Sequence, residues 1–276
     1  MDLLFVRNAL STFLAEDLGA GDLTSAAIFA RGQQARAEFV VQEPLIAAGM
    51  VSVAAQVFML INPEIRFSGA ADGLAMSPGQ IALTLEGPIL DLLKGERVAL
   101  NLVQRLCGIA TLTSKFVKLV HPLTVKIVDT RKTTPGLRAF EKYAVRTGGG
   151  HNHRFSLSDG IMIKDNHLAA AGSIDRAVRL VRAAIPHTIK IEVEAETLAQ
   201  VEECLMCGVE IILLDNMDCD TMKQAVRMTN GRAILEASGG VTLNNVRQVA
   251  ETGVDIISIG ALTHSAPACD ISMRIT

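Results

Sequence analysis

From about residue 120 the chain alternates short apolar runs with amphipathic stretches, and this alternation limits the fold more than any other feature. The apolar runs are VKIVDT, GIMIKDN, TIKIEVEA, VEIILLDN, AILEASG and VDIISIG. Between the later ones lie SIDRAVRLVRAAI, ETLAQVEECLMCG, CDTMKQAVRMTNG and TLNNVRQVAETG, each with apolar residues at helical spacing. Repeated strand and helix call for a parallel sheet joined by right-handed crossovers. Strands buried on both faces need aliphatic side chains. The chain supplies them, being 49% hydrophobic but only 4% aromatic, with no Trp. Six visible repeats predict an open, incomplete α/β barrel of six or seven strands rather than a full eightfold one. Ser173 and Thr242 stand as helix starts, and Gly208, Gly231 and Gly253 as helix ends.

The first part has a different texture. Residues 2–16 show a helical apolar face of Leu3, Val6, Leu10, Phe13 and Leu14, ended by LGAGD. ARAEFVVQ alternates like a half-buried strand, and EIRFSG and QIALTLEG read as further strands around an SPG turn. MVSVAAQVFML reads as a buried helix stopped by Asn62-Pro63, and Ile89 to Val120 as helical, with breaks expected at Gly95 and Gly108. We therefore expect a mixed sheet with helices, an α+β layer, over residues 1–110 and a barrel domain over 111–276, with the tail 267–276 packing back on the first.

Composition removes several classes of function. A pI near 6.1 and scarce aromatics argue against nucleic-acid binding. No uncharged apolar run reaches the length of a membrane span, and MDLLFVRNALSTFLAED lacks the basic start of a signal peptide. An odd set of five cysteines without a secretory signal predicts reduced thiols and a cytoplasmic location. Cys204 and Cys207 have CxxC spacing but fall late in a helical stretch, so packing is the expected role rather than redox or metal chemistry.

Between Asp129 and His167 stand seven Lys and Arg against four Asp and Glu, a local +3 in a chain of formal net charge −3. Such an island attracts an anionic ligand. Barrel sites form at the C-terminal strand ends. Those ends carry Asp129, Arg131 and Lys132, then Lys164, Glu194, Asp215, the Ser238-Gly239-Gly240 turn, and Gly260. Cations suit carboxylates and phosphates, and the acidic oxygens suit a hard cation. Gly148, Gly149 and Gly150 are expected to admit a ligand close to the backbone, and His264 flanks the last turn. No Ser/His/Asp constellation, HExxH or Walker A sequence is present.

DTRKTTPGLR, EKYAVRTGGG, NHR and IKDNH together resemble the quinolinate phosphoribosyltransferases. So do EDLGAGDLTS, GERVALNL, EVEAE, LLDNM, EASGG and ISIGALTHSA, in one order over essentially the whole chain. The resemblance implies transfer of phosphoribosyl from phosphoribosyl pyrophosphate (PRPP) to quinolinate, with decarboxylation to nicotinate mononucleotide. It assigns the quinolinate carboxylates to Arg131, His153, Arg154 and Lys164, with Arg97 supplied by a neighbouring subunit. Lys132 falls to the pyrophosphate, Glu194 and Asp215 to the sugar and Mg²⁺, and Ser238, Gly239 and Gly260 to the 5-phosphate. It further implies an N-terminal α/β sandwich domain joined to the open barrel, and a homodimer with shared active sites, which can assemble into a hexamer. Two rival readings are a paralogous transferase associated with molybdate transport and a silent phosphate-binding protein. The intact NHR and KDNH segments disfavour the first. Retention of Arg131, Lys132, Glu194 and Asp215 disfavours the second.

Overall fold

The half-buried alternation of ARAEFVVQ becomes β1 (Gln34–Val41), whose second half is buried down to Val41. The computed structural model describes all 276 residues, and they divide into two compact units. The first comprises residues 1–114, 133–149 and 262–276. The second comprises 115–132 and 150–261. The C-terminal tail and the segment 133–149 thus group with the N-terminal part.

In the first unit α1 (Leu3–Leu18) buries Val6, Leu10 and Leu14, and the Asp2 side chain caps it by accepting the Phe5 N–H. The second helix, α2 (Leu23–Ile28), is capped in the same way by Asp22. After β1 come β2 (Leu45–Ile46), β3 (Arg66–Gly69), β4 (Ala75–Met76) and β5 (Ile81–Pro88). MVSVAAQVFML forms a π-helical turn over Met50–Ala54 that runs into α3 (Ala55–Ile61), and Asn62 ends it before Pro63. The 32-residue α4 (Ile89–Val120) follows without interruption.

Gly95 and Gly108 do not break α4. They are close-packing positions: a Cβ at Gly95 would lie 2.6 Å from the Phe58 ring, and one at Gly108 1.9 Å from the Pro267 carbonyl oxygen. Gly148 is of the same kind. It caps α5 (Arg138–Thr147), and a Cβ there would lie 2.4 Å from the Ala110 carbonyl oxygen, so it serves helix packing rather than ligand approach. The C-terminal strand β12 (Ile271–Ile275) pairs antiparallel with β1, completing a sheet of order β12-β1-β5-β3.

A buried ion pair ties this unit together. Glu141 is fully buried and takes Arg105 Nε at 2.7 Å and Nη2 at 2.5 Å. The same Nη2 donates to Thr134 Oγ1 and to the Thr263 carbonyl. Removing one partner leaves the other charge buried, so Arg105→Met is expected to destabilise the protein by about 3–5 kcal/mol. The urea unfolding midpoint checks this, and an unchanged midpoint contradicts it.

The second unit holds β6 (Lys126–Val128), β7 (Ile161–Ile163), β8 (Ile191–Ala195), β9 (Ile211–Asp215), β10 (Ile234–Ser238) and β11 (Ile256–Ser258). They form one six-stranded sheet of order β6-β11-β10-β9-β8-β7, parallel at every pairing. Its edge strands β6 and β7 do not pair with each other, so the barrel is open. The connecting helices are α6 (Asp165–Ala171), α7 (Ile174–Ala184), α8 (Leu198–Met206), α9 (Cys219–Thr229) and α10 (Val246–Ala250), and α11 (Ala261–His264) follows β11.

Ser173 caps α7 as its sequence position suggests, accepting the Arg176 N–H. Thr242 does not cap α10. That helix starts three residues later behind Asn245, whose side chain instead accepts the Thr242 N–H. Cys204 is buried in α8 and Cys207 sits at its C-terminal end. Burial pushes the Cys204 thiol up to about 12, opposite to the shift a redox CxxC needs. No helix is long and apolar enough to cross a membrane.

Candidate active site

Side chains two apart on a strand share a face. Leu213 and Asp215 of β9, Glu236 and Ser238 of β10, and Glu194 of β8 all open into one cavity of about 650 Å³. Thr130, Arg131 and Lys132, following β6, and Lys164, following β7, line it as well. His153 and Arg154 from the loop before β7 complete the basic wall. All of these walls come from the second unit. Of the residues singled out in the sequence, the cavity gathers Arg131, Lys132, His153, Arg154, Lys164, Glu194, Asp215, Ser238 and Gly239. Gly260 is not among the lining residues. Arg97 and His264 belong to the first unit, where His264 Nδ1 lies 2.6 Å from Ser265 Oγ.

A buried carboxylate positions the His153 segment. Asp129 is fully buried at the end of β6. It accepts Asn152 Nδ2 at 2.5 Å and the His153 N–H at 2.9 Å. The preceding His151 bridges in parallel to Val128, extending the sheet by one short contact. Arg154 Nη1 donates to the Gly160 carbonyl at 2.9 Å. The loop between them is closed by Asp159, which accepts the Phe155 and Ser156 N–H groups. Those bonds, led by the Ser156 hydroxyl, hold the Asp159 carboxyl below the usual range. Burial, then the neighbouring Arg131, lowers the Arg154 guanidinium from its ordinary value.

Lys164 reaches across to β8, where its Nζ lies 2.5 Å from Glu194 Oε2. Asp215 takes the Asn216 amide at 2.8 Å. Gly239 stands at φ +94°, and a Cβ there would meet Asn216 Oδ1 at 2.1 Å, so only glycine fits this turn. The two carboxylates are hard oxygen donors of the kind Mg²⁺ takes. Asp215 Oδ2 meets a neutral amide, whereas Glu194 Oε2 meets the Lys164 ammonium. In donor type the pair is compatible with such an ion, although Glu194 is already paired with Lys164.

Six lining residues were not singled out from the sequence: Thr130, Met162, Leu213, Asn216, Glu236 and Ser258. Glu192, one face-repeat below Glu194, was also missed. A signal existed for two of these, since Glu192 and Glu236 are acidic residues in the middle of apolar strand runs, IEVEA and ILEAS. A charge there is expensive unless something compensates it.

An open parallel α/β barrel with cations, carboxylates and glycine turns at the C-terminal rim of its strands defines an enzyme site for phosphorylated and carboxylated anions. Residues 22–107 match the family description "Quinolinate phosphoribosyl transferase, N-terminal domain" and residues 109–274 its C-terminal counterpart. The chain belongs to this family. A Bacillus subtilis strain 168 protein named probable nicotinate-nucleotide pyrophosphorylase (carboxylating) is 46% identical, over 100% of this chain and 95% of its own. The Mycobacterium leprae nicotinate-nucleotide pyrophosphorylase (carboxylating) is 42% identical, over 98% and 96%. The crystal structure of NadC from Streptococcus pyogenes superposes with a TM-score of 0.96 at 41% identity, covering 100% of this chain and 98% of that one.

Proposed function

We propose that this protein transfers the phosphoribosyl group of PRPP to quinolinate and releases CO₂, forming nicotinate mononucleotide and pyrophosphate in NAD biosynthesis. One observation carries the reading: Arg131, Lys132, Arg154 and Lys164 share a cavity with Glu194, Asp215 and the Ser238-Gly239-Gly240 turn. Quinolinate brings two carboxylates, and planar guanidiniums hold carboxylates in bidentate fashion. Arg131, Arg154 and Lys164 take this role. His153 stands with them, although the bonds at its ring give it more to do with the protein than with the anion. The Ser238-Gly239-Gly240 turn suits the 5-phosphate, and Lys132 the pyrophosphate.

The ring nitrogen of quinolinate attacks the anomeric carbon as pyrophosphate leaves. Positive charge grows on the sugar, where Glu194 and Asp215 oppose it. Lys132 offsets the charge gathering on pyrophosphate. Mg²⁺, held by Asp215 and Glu194 with substrate oxygens, would neutralise part of that same charge. The pyridinium formed is the electron sink for loss of the 2-carboxylate. We further propose a cytoplasmic homodimer, able to build a hexamer, in which Arg97 serves the partner's site. Reduced buried thiols such as Cys107 and Cys204 suit that compartment.

Incubating the protein with quinolinate, PRPP and Mg²⁺ is expected to give nicotinate mononucleotide. No product under any divalent cation would refute the reading. Asp215→Asn is expected to lower kcat/KM for PRPP by about 10²-fold. Glu194→Gln acts in the same direction. Quinolinate affinity measured without PRPP should hold within about threefold for Asp215→Asn, and a loss confined to quinolinate would show that the residue sits at the wrong end of the site.

A further inference from the structure

His153 and Glu236 line the cavity, and Glu192 lies beside them. Their ligand atoms lie within 4.8 Å of one another. His153 Nε2 is 3.1 Å from Glu192 Oε2 and 3.7 Å from Glu236 Oε1. The two glutamates are 4% and 2% exposed, and Oε1 of each is buried without a hydrogen-bond partner. Two buried carboxyls beneath a site for a dianion are costly unless something offsets their charge.

The spacing would suit a metal ion, but the ring argues against one. The Arg154 backbone N–H donates to His153 Nδ1 at 2.7 Å, so the ring's lone pair is on Nδ1 and its proton on Nε2. Nε2 then donates to a carboxyl and has no lone pair for a cation. The ligand left for this cluster is a proton. Burial first, then Glu192, pushes the Glu236 carboxyl up to about 7 against the opposing pull of His153, Ser258 and Lys164.

The reaction itself has an unfilled requirement. When the bond from C2 of the pyridinium to its carboxylate breaks, the electron pair stays on C2 and CO₂ departs. C2 must then gain one proton. Lys164 is engaged with Glu194. Glu236 lines the cavity and belongs to the cluster.

We propose, on the basis of the phosphoribosyl-transfer reading, that Glu236 is the acid that protonates C2 after CO₂ leaves, with His153 and Glu192 holding it in place. The O–H bond of Glu236 breaks, its electrons remain on the carboxylate, and the C2–H bond forms. Arrival of the next dianionic quinolinate raises the proton affinity of Glu236, which recharges from water. Substrate binding and proton uptake are therefore coupled.

The test begins with wild type. If it forms no nicotinate mononucleotide, the underlying reading fails, whatever Glu236 does. If it does form product, Glu236→Gln keeps the shape but has no releasable proton. Its kcat is expected to fall about 10²-fold, while KM for quinolinate stays within about threefold. Glu236→Asp, which retains an acid, is expected to recover at least about tenfold over Gln. Calorimetry of quinolinate binding at pH 8 in two buffers of different ionisation heat should show net proton uptake by wild type and none by Glu236→Gln. An active wild type with no proton uptake overturns the proposal, as does a Gln variant within about threefold of native kcat. Equal losses in Gln and Asp overturn it too. Should the Gln variant fail to fold, the wild-type calorimetry and the Asp variant still decide.

Discussion

With nicotinate in place of quinolinate, turnover is expected to fall by about 10⁴-fold. The expectation follows from the basic wall. Burial first, then Arg131, lowers the Arg154 guanidinium, and Lys164 reaches into the same cavity. An acceptor with two carboxylates pairs these charges. An acceptor with one supplies this wall with fewer counter-charges, and sites built to bind polar groups reject the analogue that lacks them most strongly. Nicotinate also has no 2-carboxylate to lose, so no CO₂ should accompany any product. Steady-state kinetics with both acids checks this. Comparable kcat/KM values would mean that the cations serve PRPP alone.

Arg97→Ala is the second variant with a large expected effect. The residue is exposed on α4 in the first unit, inside GERVALNL. If it serves the quinolinate carboxylates of a partner chain, its removal costs about 2–5 kcal/mol, and activity falls accordingly. Lys132→Ala disables the barrel's own site. Mixed under subunit exchange, the two inactive variants form heterodimers with one doubly damaged site and one intact site. Activity should return to about a quarter of wild type, since random pairing makes half of the dimers mixed. Verified exchange without recovery would show that Arg97 does not act in trans.

The barrel was legible because its strands are apolar runs with period-breaking charges at their ends. Arg131, Lys164, Glu194 and Asp215 stand at those ends and line one cavity. Glu192 and Glu236 escaped because a period-two reading of a buried strand marks apolar residues and passes over a single acid among them. Glycines misled for a related reason. Gly95 and Gly108 read as helix breaks and Gly148 as a point of ligand approach, but each leaves room for a neighbour that is distant in sequence. No local pattern shows that neighbour. The same holds for Asp129: its place at a strand end was visible, whereas its grip on Asn152 and the His153 backbone depends on a loop 23 residues away. The division of the chain was hidden likewise, since residues 133–149 join the N-terminal unit through contacts such as Arg105–Glu141.

The central claim is a transfer coupled to loss of one particular carboxylate, and isotopic labelling reads it directly. Quinolinate carrying ¹³C in its 2-carboxylate, incubated with the protein, PRPP and Mg²⁺, should release one labelled CO₂ for each pyrophosphate. The nicotinate mononucleotide formed should carry no label. Labelled mononucleotide, or pyrophosphate released without labelled CO₂, would contradict the account.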